Sequence, residues 1–120
     1  HGNVAAVRVA ITAVLARDHG IDTDLSEIWT FPTDAAYARA LADHGFAVEE
    51  IALVPRPTPV PAGLAAWVET LAAPVLARLP ETARAPAARE IARLAAPALV
   101  DEDCTARVDY VRLRFAARRA

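Results

Sequence analysis

Hydrophobic residues recur at helical spacing near the start of the chain and predict a helix over residues 4–18. Its apolar stripe consists of Val4, Val7, Ile11, Val14 and Leu15. Asn3 precedes this helix as the expected N-cap. Gly20 follows it, and glycine readily takes the left-handed conformation that ends many helices. The first element is therefore an amphipathic helix with signals at both ends.

A polar loop with an aromatic centre, Trp29-Thr30-Phe31-Pro32, separates this helix from the next one. Thr33 is the expected N-cap of a second helix over residues 34–44. Both helices end on a histidine and a glycine, at His19 and at His44. Because an imidazole near a helix C-terminus interacts favourably with the helix dipole, we interpret both histidines as structural residues.

Strands are predicted over residues 47–54 and 105–117. The first carries apolar residues on both faces, which is typical of a sheet covered on both sides, as in α/β proteins. The second alternates strictly. Its apolar face consists of Val111, Leu113 and Phe115, and its polar face of Tyr110, Arg112 and Arg114.

Residues 55–61 carry a proline at every second position. Since proline has no backbone N–H to donate, we expect this stretch to stay outside the sheet as a stiff polyproline arm. Helices are predicted over residues 63–79, with a kink at Pro74, and within residues 80–100. In the latter, Pro86 is expected in the first turn and Pro97 at the end. Residues 55–100 are thus interpreted as a proline arm and a helical insertion.

Only two strands are predicted, and a two-stranded pair is at best marginally stable alone. A strand that is apolar on both faces needs further strands and helices around it. The chain also contains no methionine, and its first helix begins almost at once. We therefore expect residues 1–120 to be the C-terminal portion of a single domain, with the remaining strands N-terminal to His1.

The charge balance is close to neutral, with a formal net charge of -2. It provides no strong basic field to attract nucleic acid or an anionic membrane. No apolar run approaches the roughly 20 residues of a membrane span, and no signal peptide is visible. We expect a cytoplasmic protein without nucleic-acid or membrane partners, and the sequence leaves its oligomeric state open.

Several kinds of chemistry have no motif in this sequence. The single cysteine, Cys104, excludes an internal disulfide. Three acidic residues precede it, which makes it a poor nucleophile, and we expect it to be a small filler near the last strand. The three histidines are far apart, so no metal site is expected. There is no G-x-S-x-G, G-x-G-x-x-G or P-loop motif.

Five residues remain as candidates for binding or catalysis. If a strand precedes the first helix, His1 lies at its carboxyl end, where open α/β sheets bind ligands. Trp29 and Phe31 lie in a loop, where they either close the end of the sheet or line a ligand cavity. Arg56, between two prolines, is suited to a carboxylate ligand or equally to an acidic neighbour. Trp67 lies on the apolar side of a helix, where core packing is the default role.

The order of these elements resembles the C-terminal half of class I S-adenosylmethionine-dependent methyltransferases. The resemblance spans essentially all 120 residues. The segments that carry it are His1-Gly2-Asn3-Val4, Trp29-Thr30-Phe31-Pro32-Thr33, His44-Gly45-Phe46-Ala47-Val48 and Trp67-Val68-Glu69-Thr70. The chain is most similar to the trans-aconitate methyltransferase-like group, where a comparable helical insertion separates the last two strands.

The resemblance implies the C-terminal part of a Rossmann-like sheet. Residues 47–54 would form its sixth strand. Residues 105–117 would form the seventh, an antiparallel strand inserted between the fifth and the sixth. The contacts to S-adenosylmethionine, including the glycine-rich turn, would lie in an N-terminal half outside this chain. The present residues would form the substrate side, with the helical insertion as a lid.

The implied activity is methyl transfer from S-adenosylmethionine to a small-molecule acceptor, with this segment alone inactive. The implied pocket residues are His1, Asn3, Trp29, Phe31, Arg56 and Trp67. His1 would act as a base if the acceptor is a hydroxyl or an amine. Arg56 and the similar group favour a carboxylate acceptor. The alternative is a non-enzymatic, mainly helical interaction module in which the two strands form a minor hairpin.

Overall fold

Five α-helices and a two-stranded antiparallel sheet form the fold in the computed structural model, which describes residues 1–120. In chain order the elements are α1 (Ala5–His19), a short 3-10 helix (Leu25–Glu27), α2 (Asp34–Asp43), β1 (Phe46–Pro59), α3 (Leu64–Leu71), α4 (Ala73–Leu76), α5 (Glu81–Leu99) and β2 (Arg107–Arg119). The predicted mixture of helices and strands is confirmed.

The start of α1 differs from the prediction, because Asn3 is not its N-cap. That position belongs to Val4, which has a left-handed backbone and provides no side-chain cap. The carboxylate of Asp109 on β2 instead accepts a hydrogen bond from the N–H of Ala6, at 3.0 Å. A charged acceptor at the positive end of a helix is favourable, so the cap comes from a distant strand.

The predicted signals at the end of α1 and at the start of α2 are confirmed. Gly20 has a φ of 64°, and its N–H donates to the carbonyl of Ala16, while the N–H of Ile21 donates to that of Leu15. These two bonds satisfy carbonyls that the helix leaves free. At the start of α2, the hydroxyl of Thr33 accepts from the N–H of Ala36, at 3.1 Å.

Strand β1 continues through the alternating prolines, so the prediction of an unpaired arm over residues 55–61 is wrong. Pro55, Pro57 and Pro59 lie opposite residues of β2 in register. In an antiparallel pair, successive residues point their N–H groups to opposite edges. The N–H of Val60 donates to the carbonyl of Ala106. The residues between the prolines therefore face β2, and the prolines lack an N–H only along the outer edge.

The helical insertion also differs from its predicted bounds. The stretch 63–79 is interrupted at Ala72, and Pro74 lies in the first turn of α4, which agrees with the expected kink. Helix α5 begins at Glu81 and ends at Leu99, so Pro86 and Pro97 lie inside it. Each proline removes one helical hydrogen bond. Apolar packing of α5 against α1 and α3 holds the helix across both sites.

The hydrophobic core is almost entirely helical. Ile11, Val68 and Ile91 are at most 1 % exposed, and they come from α1, α3 and α5. Val108 is the only buried residue of the two strands. The sheet therefore lies beside the core rather than inside it.

These residues alone do not cover both faces of the sheet. Ile51 and Val111 are half-buried, and Phe115 is 46 % exposed. Helix α2 covers part of this face, where the rings of Tyr37 and Phe115 lie 5.3 Å apart. Helix α2 is the only helix that lies over this part of the face, so much apolar strand surface stays exposed.

Cys104 is exposed, so the prediction of a filler residue is wrong. It has a left-handed backbone, with a φ of 59°, and its N–H donates to the carbonyl of Asp101. The Asp101 carboxylate accepts from the N–H groups of Asp103 and Thr105. This tight polar turn keeps the thiol in solvent. None of the helices combines the length and apolar character that a membrane span requires.

Candidate functional site

Four aromatic side chains from three separate segments form one continuous cluster. The rings of Phe31 and Trp29 are stacked with centroids 6.2 Å apart, and Trp29 lies 6.2 Å from Trp67. The rings of Trp67 and Tyr110 meet edge to face at 6.4 Å. Such pairs contribute beyond the area that they bury. Three of the predicted site residues are therefore in contact through one cluster.

Trp67 anchors this cluster to the core. It is only 8 % exposed, and its indole N–H donates to the hydroxyl of Tyr110 on β2, at 2.7 Å. The backbone N–H of Trp29 donates to the carbonyl of Leu25 in the 3-10 helix, and this bond holds Trp29 in place. Asp24 caps that helix by accepting from the N–H of Ser26. The aromatic loop thus has a defined conformation against α3.

A cavity of about 270 Å³ lies between this loop and the sheet. It is lined by His1, Asn3, Thr30, Phe31, Pro32, Tyr37, Val111, Leu113 and Phe115. The backbone nitrogen of His1 donates to the carbonyl of Pro32, at 2.9 Å. The amide oxygen of Asn3 accepts from the N–H of Val111, at 2.7 Å. The structure therefore brings His1, Asn3 and Phe31 together.

Arg56 is not part of this arrangement. It is exposed on β1 opposite Tyr110 and does not line the cavity beside His1. The physical reason is the pairing of the proline stretch with β2, which fixes Arg56 on a strand. The expectation of a carboxylate-binding arm has no support in this geometry.

Arg8 is a site residue that the sequence does not reveal. Its guanidinium carbon lies 5.6 Å from the centroid of the Phe31 ring, within the range of a cation–π interaction. Its Nε is buried and has no hydrogen-bond partner. No local motif marks Arg8, because its contact with Phe31 depends on how the loop folds over α1.

Asp109 positions the start of the chain against β2. Its carbonyl accepts from the N–H of Val4, at 3.0 Å, and its carboxylate accepts from the N–H of Ala6. The sequence gives no signal for this role, since Asp109 lies more than a hundred residues from α1 along the chain. These bonds hold His1 and Asn3 beside the sheet.

The strongest charge network lies away from this cavity. Hydrogen bonds from Arg93 and Arg17 lower the pKa of Glu90 from 4.5 to about 2. Arg17 lies on α1 and the other two residues on α5, so the network links two core helices. It is a surface cluster with a structural role. No group of three acidic, histidine or cysteine side chains is placed to hold a metal ion.

A scan against protein-family models found no match for this chain, and a search of curated proteins found no relative.

Proposed function

We propose that the protein transfers a methyl group from S-adenosylmethionine to a small-molecule acceptor, with residues 1–120 forming the acceptor side and the lid. The main contacts to the cofactor would come from polypeptide outside these residues. The proposal rests on a difference between the two edges of the sheet: prolines hinder further pairing along β1, whereas β2 has unpaired backbone groups.

One edge of the sheet is closed to further strands. Along the outer edge of β1, Pro55, Pro57 and Pro59 have no N–H to donate. Proline on an edge strand is a common means of preventing further pairing. The prolines therefore hinder pairing along this half of the β1 edge, which leaves the β2 edge as the better place for the sheet to extend.

The other edge is open. The carbonyl of Ala106 and the N–H of Ala120 bond to the β1 side, so the even-numbered residues of β2 face β1. The odd-numbered residues face outward. Asp109 and Val111 bond there to the segment just before α1, whereas Leu113 and Phe115 face no strand. A strand that leads into residue 1 would continue along this edge and place His1 at its carboxyl end.

This arrangement matches the sheet that the sequence resemblance implies. In that sheet the antiparallel last strand, here β2, has the edge strand β1 on one side and the strand before α1 on the other. The half-exposed apolar residues beside the open edge would be covered by the rest of the domain. The lid would consist of α3, α4 and α5, of which α5 packs against α1.

In this proposal, most contacts to the cofactor lie outside residues 1–120. The cavity beside His1 measures about 270 Å³, and pockets for drug-sized ligands measure roughly 300–1,000 Å³. When bound, S-adenosylmethionine supplies an activated methyl group. Phe31, which lines the cavity and has Trp29 stacked against it, would orient the acceptor and exclude water. His1 would take a proton from a hydroxyl or an amine.

Calorimetry with S-adenosylmethionine tests the proposal. Residues 1–120 alone should not bind the cofactor. The chain extended by about 130 natural upstream residues should bind it, and that segment should contain a strand followed by a G-x-G-like turn and an acid about 20 residues on. Binding by residues 1–120 alone, or an upstream segment without these features, would contradict it.

The helical core supports a second candidate function. Because nearly all buried residues come from helices, these residues could form a non-enzymatic interaction module. The surface between α1 and α5 would then serve a partner, since Val9 is 70 % and Leu94 38 % exposed. A monodisperse chain in sedimentation experiments would favour the module, and aggregation would favour an uncovered part of a larger domain.

A further inference from the structure

A second cavity is lined in part by Arg8, the residue whose guanidinium contacts the Phe31 ring. It measures about 570 Å³ and lies between α1 and the segment that follows Gly20. It is lined by Ala5, Arg8, Val9, Thr12, Ala13, Thr23, Asp24 and Leu25. Its apolar wall comes from α1 and from Leu25, and its polar lining residues come from α1 and from the loop.

Two of these polar groups are buried without a partner. The Nε of Arg8 and the hydroxyl of Thr23 make no hydrogen bond, although both atoms are inaccessible to solvent. Thr23 is only 9 % exposed. An unsatisfied buried donor is destabilising, and such groups in native proteins call for an explanation, for example a missing ligand. Both unpaired groups can donate a hydrogen bond.

The guanidinium of Arg8 has no ion-pair partner within the chain. No carboxylate lies within ion-pair distance of Arg8, although six ion pairs form elsewhere in the chain. The nearest acid in the cavity wall, Asp24, uses its carboxylate to cap the 3-10 helix through the N–H of Ser26. Phe31 supports one face of the guanidinium. A stacked arginine with free donors is well suited to bind an oxyanion.

We propose that this cavity binds the carboxylate or phosphate group of a small molecule through Arg8 and Thr23. The guanidinium supplies the charge and a planar pair of donors, and the threonine hydroxyl supplies a third donor. The apolar wall formed by Ala5, Val9 and Ala13 accepts the remainder of the ligand. The site does not depend on methyl transfer, and it would serve an anionic ligand equally in an interaction module.

Arginine modification tests this site on the whole chain. The chain is treated with phenylglyoxal, and the rate at each arginine is followed by peptide mass spectrometry. The reaction is run in sodium phosphate, sodium acetate and sodium chloride at one ionic strength. Arg56 is the internal control, because it is exposed on a strand away from the cavity. Phosphate or acetate should slow modification of Arg8 by about tenfold and leave Arg56 unchanged. The more effective anion identifies the class of ligand.

Two variants complete the test. Thr23→Val keeps the shape of the side chain and removes an unpaired hydroxyl, so the fold should persist while protection of Arg8 falls several-fold. Thr70→Val is the matched control, since Thr70 is exposed and bonds only within α3. Equal protection of Arg8 and Arg56, protection by neither anion, or full protection in Thr23→Val would overturn the proposal.

Discussion

The amide oxygen of Asn3 accepts a hydrogen bond from the backbone N–H of Val111, 2.7 Å away. The side chain takes the place that a carbonyl of a neighbouring strand would occupy. This contact joins the segment before α1 to the open edge of β2.

Replacing Asn3 by alanine should lower the free energy of unfolding by about 1 kcal/mol, because the partly buried N–H of Val111 loses its acceptor. Urea denaturation measures this change. Thr58→Ala is the control, since its exposed hydroxyl donates only to the carbonyl of Arg56 and should have little effect. Equal effects of the two variants would mean that the contact does not hold the two segments together.

The bond from Trp67 to Tyr110 should couple α3 to the sheet. In a double-mutant cycle with Trp67→Phe and Tyr110→Phe, we expect a coupling free energy of about 1 kcal/mol, because each single change leaves a partly buried polar group unpaired. Thermal or urea unfolding of the four proteins gives this value. Additive effects would show that the two side chains only pack against each other.

Because the prolines of β1 all face the outer edge, substitutions on the two edges of the strand should have different effects. Thr58→Pro removes an N–H that faces β2 and should destabilise the chain by about 1–3 kcal/mol, because a ladder hydrogen bond to β2 is lost. Pro57→Ala adds an N–H on the outer edge and should cost little. Circular dichroism in urea distinguishes the two.

The outer edge itself is tested by replacing Pro55, Pro57 and Pro59 together with threonine. The edge of β1 then carries a full set of donors, and the chain should self-associate more strongly in sedimentation experiments. Unchanged association would show that the prolines do not protect this edge.

The network around Glu90 predicts a pH dependence of stability. Since the pKa of Glu90 falls from 4.5 to about 2 on folding, its contribution is fully present above pH 4.5 and is lost as the pH falls toward 2. In Glu90→Gln this part of the acid dependence should disappear, as measured by urea denaturation between pH 2 and 6. An identical pH profile in the variant would contradict the role of the network. Exposed Glu81 provides the matched control for substitution by glutamine.

The elements that the sequence predicts well are those with local signals. Thr33 and Gly20 act through neighbours a few residues away, so the bounds of α1 and α2 follow from the sequence almost completely. The prediction that Asn3 caps α1 is wrong, because Asp109, far along the chain, provides a charged acceptor at the start of this helix. A local motif cannot reveal that competition.

The proline stretch and the candidate site show a second limit. Alternating prolines are compatible with a strand only when the residues between them point their N–H groups toward the paired strand. The sequence does not show which edge of the strand is paired. The aromatic residues Trp29 and Phe31 were identified because large apolar residues in a loop must cover something. Arg8 was not identified from the sequence. Its importance depends on its unpaired Nε and on the Phe31 ring, which the fold brings next to it.

The open edge of β2 is tested most directly by amide hydrogen exchange at Leu113 and Phe115, compared with Arg112 and Arg114. In residues 1–120 alone, the first two amides should exchange quickly and the last two slowly, because only the last two face β1. In the chain extended by its natural upstream segment, Leu113 and Phe115 should become as protected as Arg112 and Arg114. Continued fast exchange at Leu113 and Phe115 in the extended chain would show that no strand pairs with this edge, which contradicts the proposed larger sheet.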